Sequence, residues 1–593
     1  MAMMRGEKAR DFKGTMRRLI AYLGSYRVSI LFVMIVAVGS TIFSIVGPKI
    51  MGRATTRLFE NVIAQIRGTG TGIDFDYIGR ILLTVGALYL ASALFAYIQG
   101  WIMSGISTDI AYRLRRDIAE KINRMPLRYF DGTSHGEVLS RLTNDVDTVN
   151  QTLSQSLSQM ITSLVTVIGV LVMMLTISWQ MTLAALLIVP LSALAMTLVV
   201  GKSQGYFKAQ QEYLGHVNGH VEEMYGGHLI VKAYNGEAES VDRFDALNAE
   251  LYKSAWKSQF LTALIFPIMG FIGNLGYVAV VILGGYLAIR NAITVGDIQA
   301  FIQYVRSFTQ PITQIGNISN ILQQTAAAAE RVFEFLGEAE ETPDTTTPVQ
   351  PVGVRGQVDF EHVRFGYSPD DVVINDFTAQ VHPGQRIAIV GPTGAGKTTM
   401  VKLLMRFYDV DQGAIRIDGH NIVEFSRADL RCMFGMVLQD TWLYNDTIME
   451  NIRYGAPEAS DEDVIAAARA ARVDHFVRTL PEGYQLVLNE EASNLSQGEK
   501  QLLTIARAIL VNPKMLILDE ATSSVDTRTE VLIQEAMYEL MKDRTSFIIA
   551  HRLSTIRGAD LILVMNEGDI VEQGTHEELL ARGGFYAEIY NAQ

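Results

Sequence analysis

The sequence predicts a multi-domain membrane protein in two parts: an all-α half of six transmembrane helices with long cytoplasmic helical extensions and, after it, an α/β half. Three observations carry that expectation. Charge-free apolar stretches gather before residue 322, and each approaches or exceeds the roughly 20 helical residues that cross a ~30 Å hydrocarbon layer. An acidic segment rich in Thr, Pro and Gly, 336–356, then reads as an exposed linker. Beyond it, short apolar strands alternate with helical patterns, the order of elements in an α/β domain. The 593 residues are too many for one compact core. Hydrophobic residues at 49% and a mean hydropathy of +0.18 fit a membrane part joined to a soluble one.

Residues 1–25 form a basic N-terminal elbow segment carrying Arg5, Lys8, Arg10, Lys13, Arg17 and Arg18. The apolar run behind it is too long for a signal peptide and lacks a small-residue cleavage site, so it reads as a retained helix. The transmembrane domain, 26–335, holds spans at about 28–50, 80–106, 158–178, 181–202, 259–289 and 295–322. Spans three and four share one charge-free run, which must hold two helices turning near Ser178-Trp179-Gln180. Positive charge after the second span, at Arg113, Arg115, Arg116, Lys121, Arg124, Arg128 and Arg141, assigns that segment and the N-terminus to the cytoplasm. The segments 105–158 and 202–258 are charged and rich in helix formers, so they read as helices that project from the membrane and whose tips can touch another domain. Plain solvated loops of that length are uncommon.

The sixth span carries Gln303, Arg306, Gln310, Gln314, Asn317 and Asn320 at three- and four-residue steps, one stripe along a helix. Polar groups in lipid are costly unless they meet a partner or a water-filled cavity. Two readings stand: a cavity-lining helix that meets substrate, or interhelical hydrogen bonding.

Composition also excludes some classes. A net charge of −13 argues against a nucleic-acid partner, which needs clustered Lys and Arg. The single cysteine, Cys432, forms no internal disulfide and has no His/Cys cluster around it, so it reads as a structural thiol.

In the α/β half, 357–593, the strand Ile387-Ala388-Ile389-Val390 runs into Gly391-Pro392-Thr393-Gly394-Ala395-Gly396-Lys397-Thr398-Thr399, and a helical pattern follows. This is a phosphate-binding loop in its required context. Its glycines let backbone N–H groups close around phosphates, the helix N-terminus adds positive potential, Lys397 reaches the phosphates and Thr398 can hold magnesium. A second strand, Met515 to Leu518, ends in Asp519-Glu520, suited to holding magnesium and polarising a water. A third, Phe547 to Ala550, ends in His551, able to sense or stabilise the γ-phosphate. Three strands ending in phosphate, metal and polarising chemistry belong to one site.

The ordered set resembles the ATP-binding cassette of ABC transporters: Tyr367 in an aromatic loop, the phosphate loop, Gln439 in Val437-Leu438-Gln439-Asp440, Leu495-Ser496-Gln497-Gly498-Glu499, Asp519-Glu520, Ser524-Val525-Asp526 and His551. The membrane half is similar to the exporter type (type IV fold), with Phe130-Asp131, the stretch Arg141 to Asp147, and Val231 to Tyr234. The resemblance implies that Tyr367 stacks on adenine, that Gln439 bridges magnesium and the membrane-domain contact, and that Asp526 serves communication between two nucleotide domains. It also implies coupling helices near 131–137 and 225–234.

One motif departs from the family. Where the usual signature is LSGGQ, acting on the ATP of the opposite subunit, this chain has Gln497 and Glu499 beside Ser496 and Gly498. Gln497 adds bulk where glycine allows close approach to phosphate, and Glu499 adds negative charge near an anion. Leu488-Asn489-Glu490-Glu491 before it is also unusual. An intact Walker side with an altered signature resembles the catalytically intact subunit of a heterodimeric bacterial multidrug exporter. The implied partner is a second half-transporter, the implied cargo a small hydrophobic or amphipathic, drug-like compound, and the implied place the cell membrane with the nucleotide domain cytoplasmic. A metal-chelate importer or lipid flippase of the same fold, and an ATP-gated channel or regulatory subunit, are the competing readings. For the polar stripe, Gln310→Ala and Gln314→Ala should each lower substrate-stimulated ATPase and transport if the stripe meets substrate, and leave both unchanged if it only joins helices.

Overall fold

The computed structural model describes residues 9–69, 72–368, 371–438, 441–489, 492–519, 526–549 and 556–592. By their contacts the residues fall into two units, 1–122 with 136–338 and 123–135 with 339–593.

Among its described residues the regular structure of the first unit is all helix. Helix α1 (Phe12–Tyr22) is capped by Asp11, whose side chain accepts from the Gly14 N–H. It leads into α2 (Arg27–Ile66) and α3 (Phe75–Ile122). At 1.5 Å per residue the 48 residues of α3 reach about 70 Å, more than twice the hydrocarbon thickness, so much of the helix stands outside the membrane. After α4 (Leu127–Asp131), which belongs to the second unit, come α5 (His135–Ser140), α6 (Val146–Gln151) and α7 (Leu157–Ile177), run together through two single π-turns at 141–145 and 152–156. Ser178 breaks the chain with an extended backbone and caps α8 (Trp179–Leu186) by accepting from Met181. Then follow α9 (Ile188–Gly226), α10 (His228–Ala233), α11 (Glu237–Ala263), α12 (Ile265–Ile289) and α13 (Val295–Gly337).

Among the described residues five helical segments are long and apolar enough to cross a membrane: Phe12–Ile66, Phe75–Ile122, His135–Ile177, Trp179–Gly226 and Glu237–Ile289. Helix α13 does not qualify by hydropathy, and its packing explains why. Its Ala300, Phe301, Tyr304 and Phe308 are buried against Ile45 of α2, Val170 and Met174 of α7, Met181 of α8 and Val280 of α12. The Tyr304 hydroxyl donates to the Ile45 carbonyl at 2.8 Å. A helix wrapped by other helices rather than lipid can keep polar residues.

Two glycines permit the tightest crossing. A Cβ on Gly52 of α2 would lie 2.6 Å from the Gly296 carbonyl oxygen, and one on Gly296 would lie 1.7 Å from that of Gly52. Thr56 accepts from the Gly296 N–H at 3.1 Å beside this contact. At its other end α13 is fixed by Arg331, whose guanidinium pairs through two nitrogens with the buried Asp145 of the π-turn. The Lys121 ammonium donates to the Glu338 carbonyl, and Arg141 lies over the Phe335 ring.

In the second unit, β1 (Val358–Ser368), β2 (Asp371–Val381), β4 (Gln412–Ile417) and β5 (His420–Asn421) form an antiparallel sheet in the order β2-β1-β4-β5, with β3 (Arg386–Val390) between β2 and β4 in sequence. A second sheet runs β10-β9-β3-β8-β7-β6 with β6 (Phe434–Val437), β7 (Met515–Asp519), β8 (Thr545–Ile549), β9 (Leu561–Asn566) and β10 (Asp569–Gly574). Its strands pair in parallel except at the β10 edge. Helices α14 (Lys397–Leu404), α15 (Arg427–Cys432), α16 (Ile448–Arg453), α17 (Asp461–Ala470), α18 (Asp474–Thr479), α19 (Gln497–Val511), α20 (Thr527–Met541), α21 (His576–Arg582) and α22 (Phe585–Ala592) complete it. One core packs α19 and α20 against this sheet, and a second lies between the two sheets and α14. Strands buried on both faces read as apolar runs, which is how 387–390 of β3, 515–518 of β7 and 547–549 of β8 appear in the sequence.

The stretch read as an exposed linker is largely exposed in the structure and is held by side-chain contacts. Arg427 donates to the Thr342 carbonyl at 2.6 Å and to Asp344 at 2.8 Å, and Arg406, nearly buried, pairs with Asp409 at 2.9 Å and Asp344 at 3.6 Å. Cys432 is exposed at the end of α15, so it fills no core position. For the glycine crossing, Gly296→Leu should destabilise the membrane unit by about 1–3 kcal/mol or more, read as a lower thermal midpoint in detergent. Gly285→Leu, with nothing within 4 Å of its added Cβ, should leave the midpoint unchanged.

Candidate functional site

The sheet order explains how three distant motifs meet. Strand β8 lies between β3 and β7, all parallel, with Ile389 opposite Ile549 and Ile549 opposite Asp519. The phosphate loop and Asp519 therefore leave the same edge of the sheet, the carboxyl edge at which open α/β sheets bind ligands. Glu520, His551 and Gln439 lie outside the described residues.

Within the loop, Gly394 and Gly396 have φ of +85° and +96°. Gly396 also has no room for a side chain, since a Cβ would sit 2.6 Å from Ile374 Cδ1, and one on Gly391 would sit 2.2 Å from the Met565 carbonyl oxygen. Pro392, Thr393 and Gly394 are exposed along the turn and Ala395 is buried beneath it. Lys397 opens α14, where unpaired backbone N–H groups and the helix dipole favour an anion. Its ammonium donates to the carbonyls of Gly391 at 2.7 Å and Pro392 at 2.9 Å. Burial pushes the Lys397 pKa down, and the field of Asp519 opposes that shift, which brings the two groups into one electrostatic site. The Thr398 side chain is exposed, whereas Thr399 is buried and shares a 3.1 Å hydrogen bond with the Tyr367 hydroxyl.

Tyr367 belongs to a cluster that sequence reasoning missed. Its ring meets Phe365 and Tyr408 edge-on, and the Lys402 ammonium lies over it at 5.4 Å and over Tyr408 at 5.8 Å. The Tyr408 hydroxyl donates to Asp131 on α4, and Lys402 stands 3.8 Å from the same carboxylate. Burial, then the bond to Asp131, raises the Tyr408 pKa. A continuous set of contacts thus runs from Thr399 in α14 through Tyr367, Lys402 and Tyr408 to Asp131. These residues are far apart in sequence and no local pattern marks them as partners. Trp442, Tyr444 and Tyr454 form a second unforeseen aromatic group, with Arg507 over the Tyr454 ring at 5.1 Å.

The altered signature has a local structural role. Ser496 is the N-cap of α19 and forms a capping box with Glu499: the Ser496 side chain accepts from the Glu499 N–H, and the Glu499 carboxylate accepts from the Ser496 N–H at 2.7 Å. Gln497 is the exposed first residue of α19, its amide donating to the Thr441 hydroxyl at 3.4 Å, and Gly498 is buried. Asp526 caps α20 by accepting from the Thr529 N–H at 3.1 Å, and backbone hydrogen bonds of that kind hold its carboxyl below the usual range.

The polar stripe of α13 divides. Gln303 and Arg306 line a cavity of about 580 Å3, and Arg306 also lines a second of about 590 Å3. Gln314 instead accepts from the buried Ser163 of α7 at 3.0 Å, so here the interhelical reading holds. The side chains of Gln310, Asn317 and Asn320 are outside the described set. Among the described residues no group of three or more His, Cys, Asp or Glu side chains is placed to hold a metal ion.

Comparison with known proteins gives consistent matches. The family profile "ABC transporter transmembrane region" matches residues 30–312, and the profile "ABC transporter" matches 374–523. The chain is 47% identical to a fatty acid ABC transporter ATP-binding/permease protein of Mycobacterium bovis, over 99% of this chain and 97% of that one. It is 37% identical to an ATP-dependent lipid A-core flippase of Syntrophus aciditrophicus, over 86% and 85%. A putative multidrug export ATP-binding/permease protein of Bacillus subtilis is 34% identical over 98% and 99%. A solved bacterial Atm1-family ABC exporter with ATP bound superposes with a TM-score of 0.72 at 28% identity, covering 97% of this chain and 99% of its own.

The contacts at Asp131 are testable. Asp131→Asn should loosen α4 by no more than about 1 kcal/mol, because the pair is partly exposed, seen as faster amide exchange over 127–131. Lys402→Ala should also free Tyr367 and weaken ATP binding by about two- to fivefold. Unchanged exchange and affinity in both variants would remove the link.

Proposed function

This chain belongs to the ABC transporter family, and we propose that within it the protein exports small hydrophobic or amphipathic compounds as one half of a dimer with unequal ATP sites. It is a multi-pass membrane exporter whose cytoplasmic nucleotide-binding domain couples ATP hydrolysis to transport. The observation that carries the cargo reading is the cavity of about 590 Å3 in the membrane unit, walled by Phe266, Met269, Val280, Ile302 and Val305. Apolar walls with few polar groups suit a ligand that is itself largely apolar. The names of the relatives above, fatty acid transporter, lipid A-core flippase and multidrug exporter, concern molecules with large apolar parts.

At the nucleotide site, the loop amides and Lys397 would bind the phosphates, and Tyr367 would stack on adenine with the ring face opposite Lys402. Thr398, Asp519 and Gln439 would hold Mg2+, which neutralises phosphate charge when bound; the exposed Thr398 hydroxyl and the carboxylate beside Lys397 suit that hard cation. Glu520 would polarise the attacking water and His551 would stabilise the γ-phosphate. Closure of two nucleotide domains on ATP would favour the outward-opening bundle, and hydrolysis would reset it.

A second chain is expected on physical grounds. Tyr225 and α10 with its flanks carry Leu229, Ile230 and Tyr234, which are 84%, 80%, 60% and 81% exposed at a helical tip, and such apolar patches call for cover. Inequality of the sites rests on α19. An anion approaching its N-terminus meets the Glu499 carboxylate on the Ser496 N–H and the Gln497 side chain where the usual motif has glycine. A partner with a regular signature would complete the site served by Lys397, Asp519, Glu520 and His551.

Expressed alone, the chain should have at least about tenfold lower substrate-stimulated ATPase than with its partner. High stimulated turnover by a homodimer would overturn the heterodimer. Glu520→Gln in the assembled transporter should cut hydrolysis by about 100-fold or more, and retained turnover would move the catalytic carboxylate elsewhere.

A further inference from the structure

The two membrane cavities differ in character and share a boundary. Both are lined by Tyr277, Ile302 and Arg306. On one side lie the apolar walls described above; on the other, Thr55, Gln299, Gln303 and Ser307 add hydroxyl and amide groups. Arg306 follows Val295, the first residue of α13, by eleven positions, or about 16 Å of helix, near the middle of a ~30 Å hydrocarbon layer. Its side chain is exposed in the cavities and has no hydrogen-bond or ion-pair partner among the described residues. The nearest acid in sequence on the same helix, Asp297, is used by the Thr294 cap.

An unpaired guanidinium at that depth is costly, and such residues mark substrate pathways. The geometry points to Arg306 as the head-group anchor for a singly charged anionic amphiphile, with the chain in the apolar chamber and the head at the polar one. The polar–apolar boundary matches a molecule with the same division, and the positive charge selects its sign. A carboxylate suits best, because guanidinium can bind it through two parallel hydrogen bonds. A cation of the same shape is repelled, and a neutral head leaves the guanidinium charge unpaired. Asn274 in the apolar chamber and Gln303 in the polar one offer further donors to the head.

This inference rests on the reading of the protein as an exporter of hydrophobic or amphipathic compounds, and the test separates the two. The assembled transporter is placed in nanodiscs, and ATPase is measured against dodecanoate, dodecanol and dodecyltrimethylammonium. Dodecanoate should stimulate at about tenfold lower concentration than dodecanol, and the cation should be weakest. Arg306→Gln should abolish the preference for dodecanoate over dodecanol, while Arg306→Lys should retain part of it. Equal stimulation by all three in the wild type, or an unchanged carboxylate-to-alcohol ratio in Arg306→Gln, would overturn the anchor and leave the cargo class standing. Absence of stimulation by any of the three would overturn the cargo class and the anchor with it. A thermal midpoint within a degree or two of wild type, on the scale of a ΔΔG below about 1 kcal/mol, confirms that each variant compared is folded.

Discussion

Helix α13 is the element on which the membrane unit depends, and the constraint it obeys is that polar groups inside hydrocarbon must find partners in the protein. Tyr304 bonds to the Ile45 carbonyl and Gln314 to Ser163, and beyond the span Arg331 pairs with the buried Asp145. The contact of Gly52 with Gly296 lets α2 lie close enough to shield the start of the helix. Once α13 is enclosed, its apolar face forms a core with α2, α7, α8 and α12. Among the described residues of this helix Gln303 and Arg306 are left without a hydrogen-bond partner, and Arg306 lies where two cavities meet.

The nucleotide unit follows a different rule. Parallel strands buried on both faces can carry no chemistry along their length, so chemistry collects at their carboxyl ends. Pairing β8 between β3 and β7 aligns Ile389, Ile549 and Asp519 across the sheet and gathers the motifs that follow. The aromatic loop is then tied in from the side: Thr399 holds Tyr367, and Lys402 shares its charge between two rings and Asp131. The Tyr367 ring and α4 therefore share Lys402, and a shift at either is felt by the other through short, directional contacts.

The signature has a double character. As local structure, Ser496, Gln497, Gly498 and Glu499 make a well-capped helix start, with reciprocal bonds that satisfy two otherwise unpaired N–H groups. The Glu499 carboxylate occupies the Ser496 N–H, so the proposed inequality of the ATP sites and the stability of this helix start rest on the same bond.

Much was legible in the sequence because it depends on local rules. Apolar runs gave five of the helical crossings, and the loop from Gly391 to Thr399 gave the strand, the turn and the helix that cradle phosphate. Linear spacing also marked the polar face of α13, but not the division of that face, because whether Gln314 meets Ser163 or a cavity depends on which helix lies opposite. The cluster of Asp131, Tyr367, Lys402 and Tyr408 joins residues up to 277 positions apart, and the anchoring of 341–344 by Arg406 and Arg427 is equally non-local. The sequence by itself determined the two-part architecture, the chemistry of the nucleotide loop and the oddity of its signature, since periodicity, hydropathy and motif spacing are properties of neighbouring residues. Only the tertiary structure decided which of the described polar side chains are paired and which face a cavity, because a partner in space has no fixed distance along the chain.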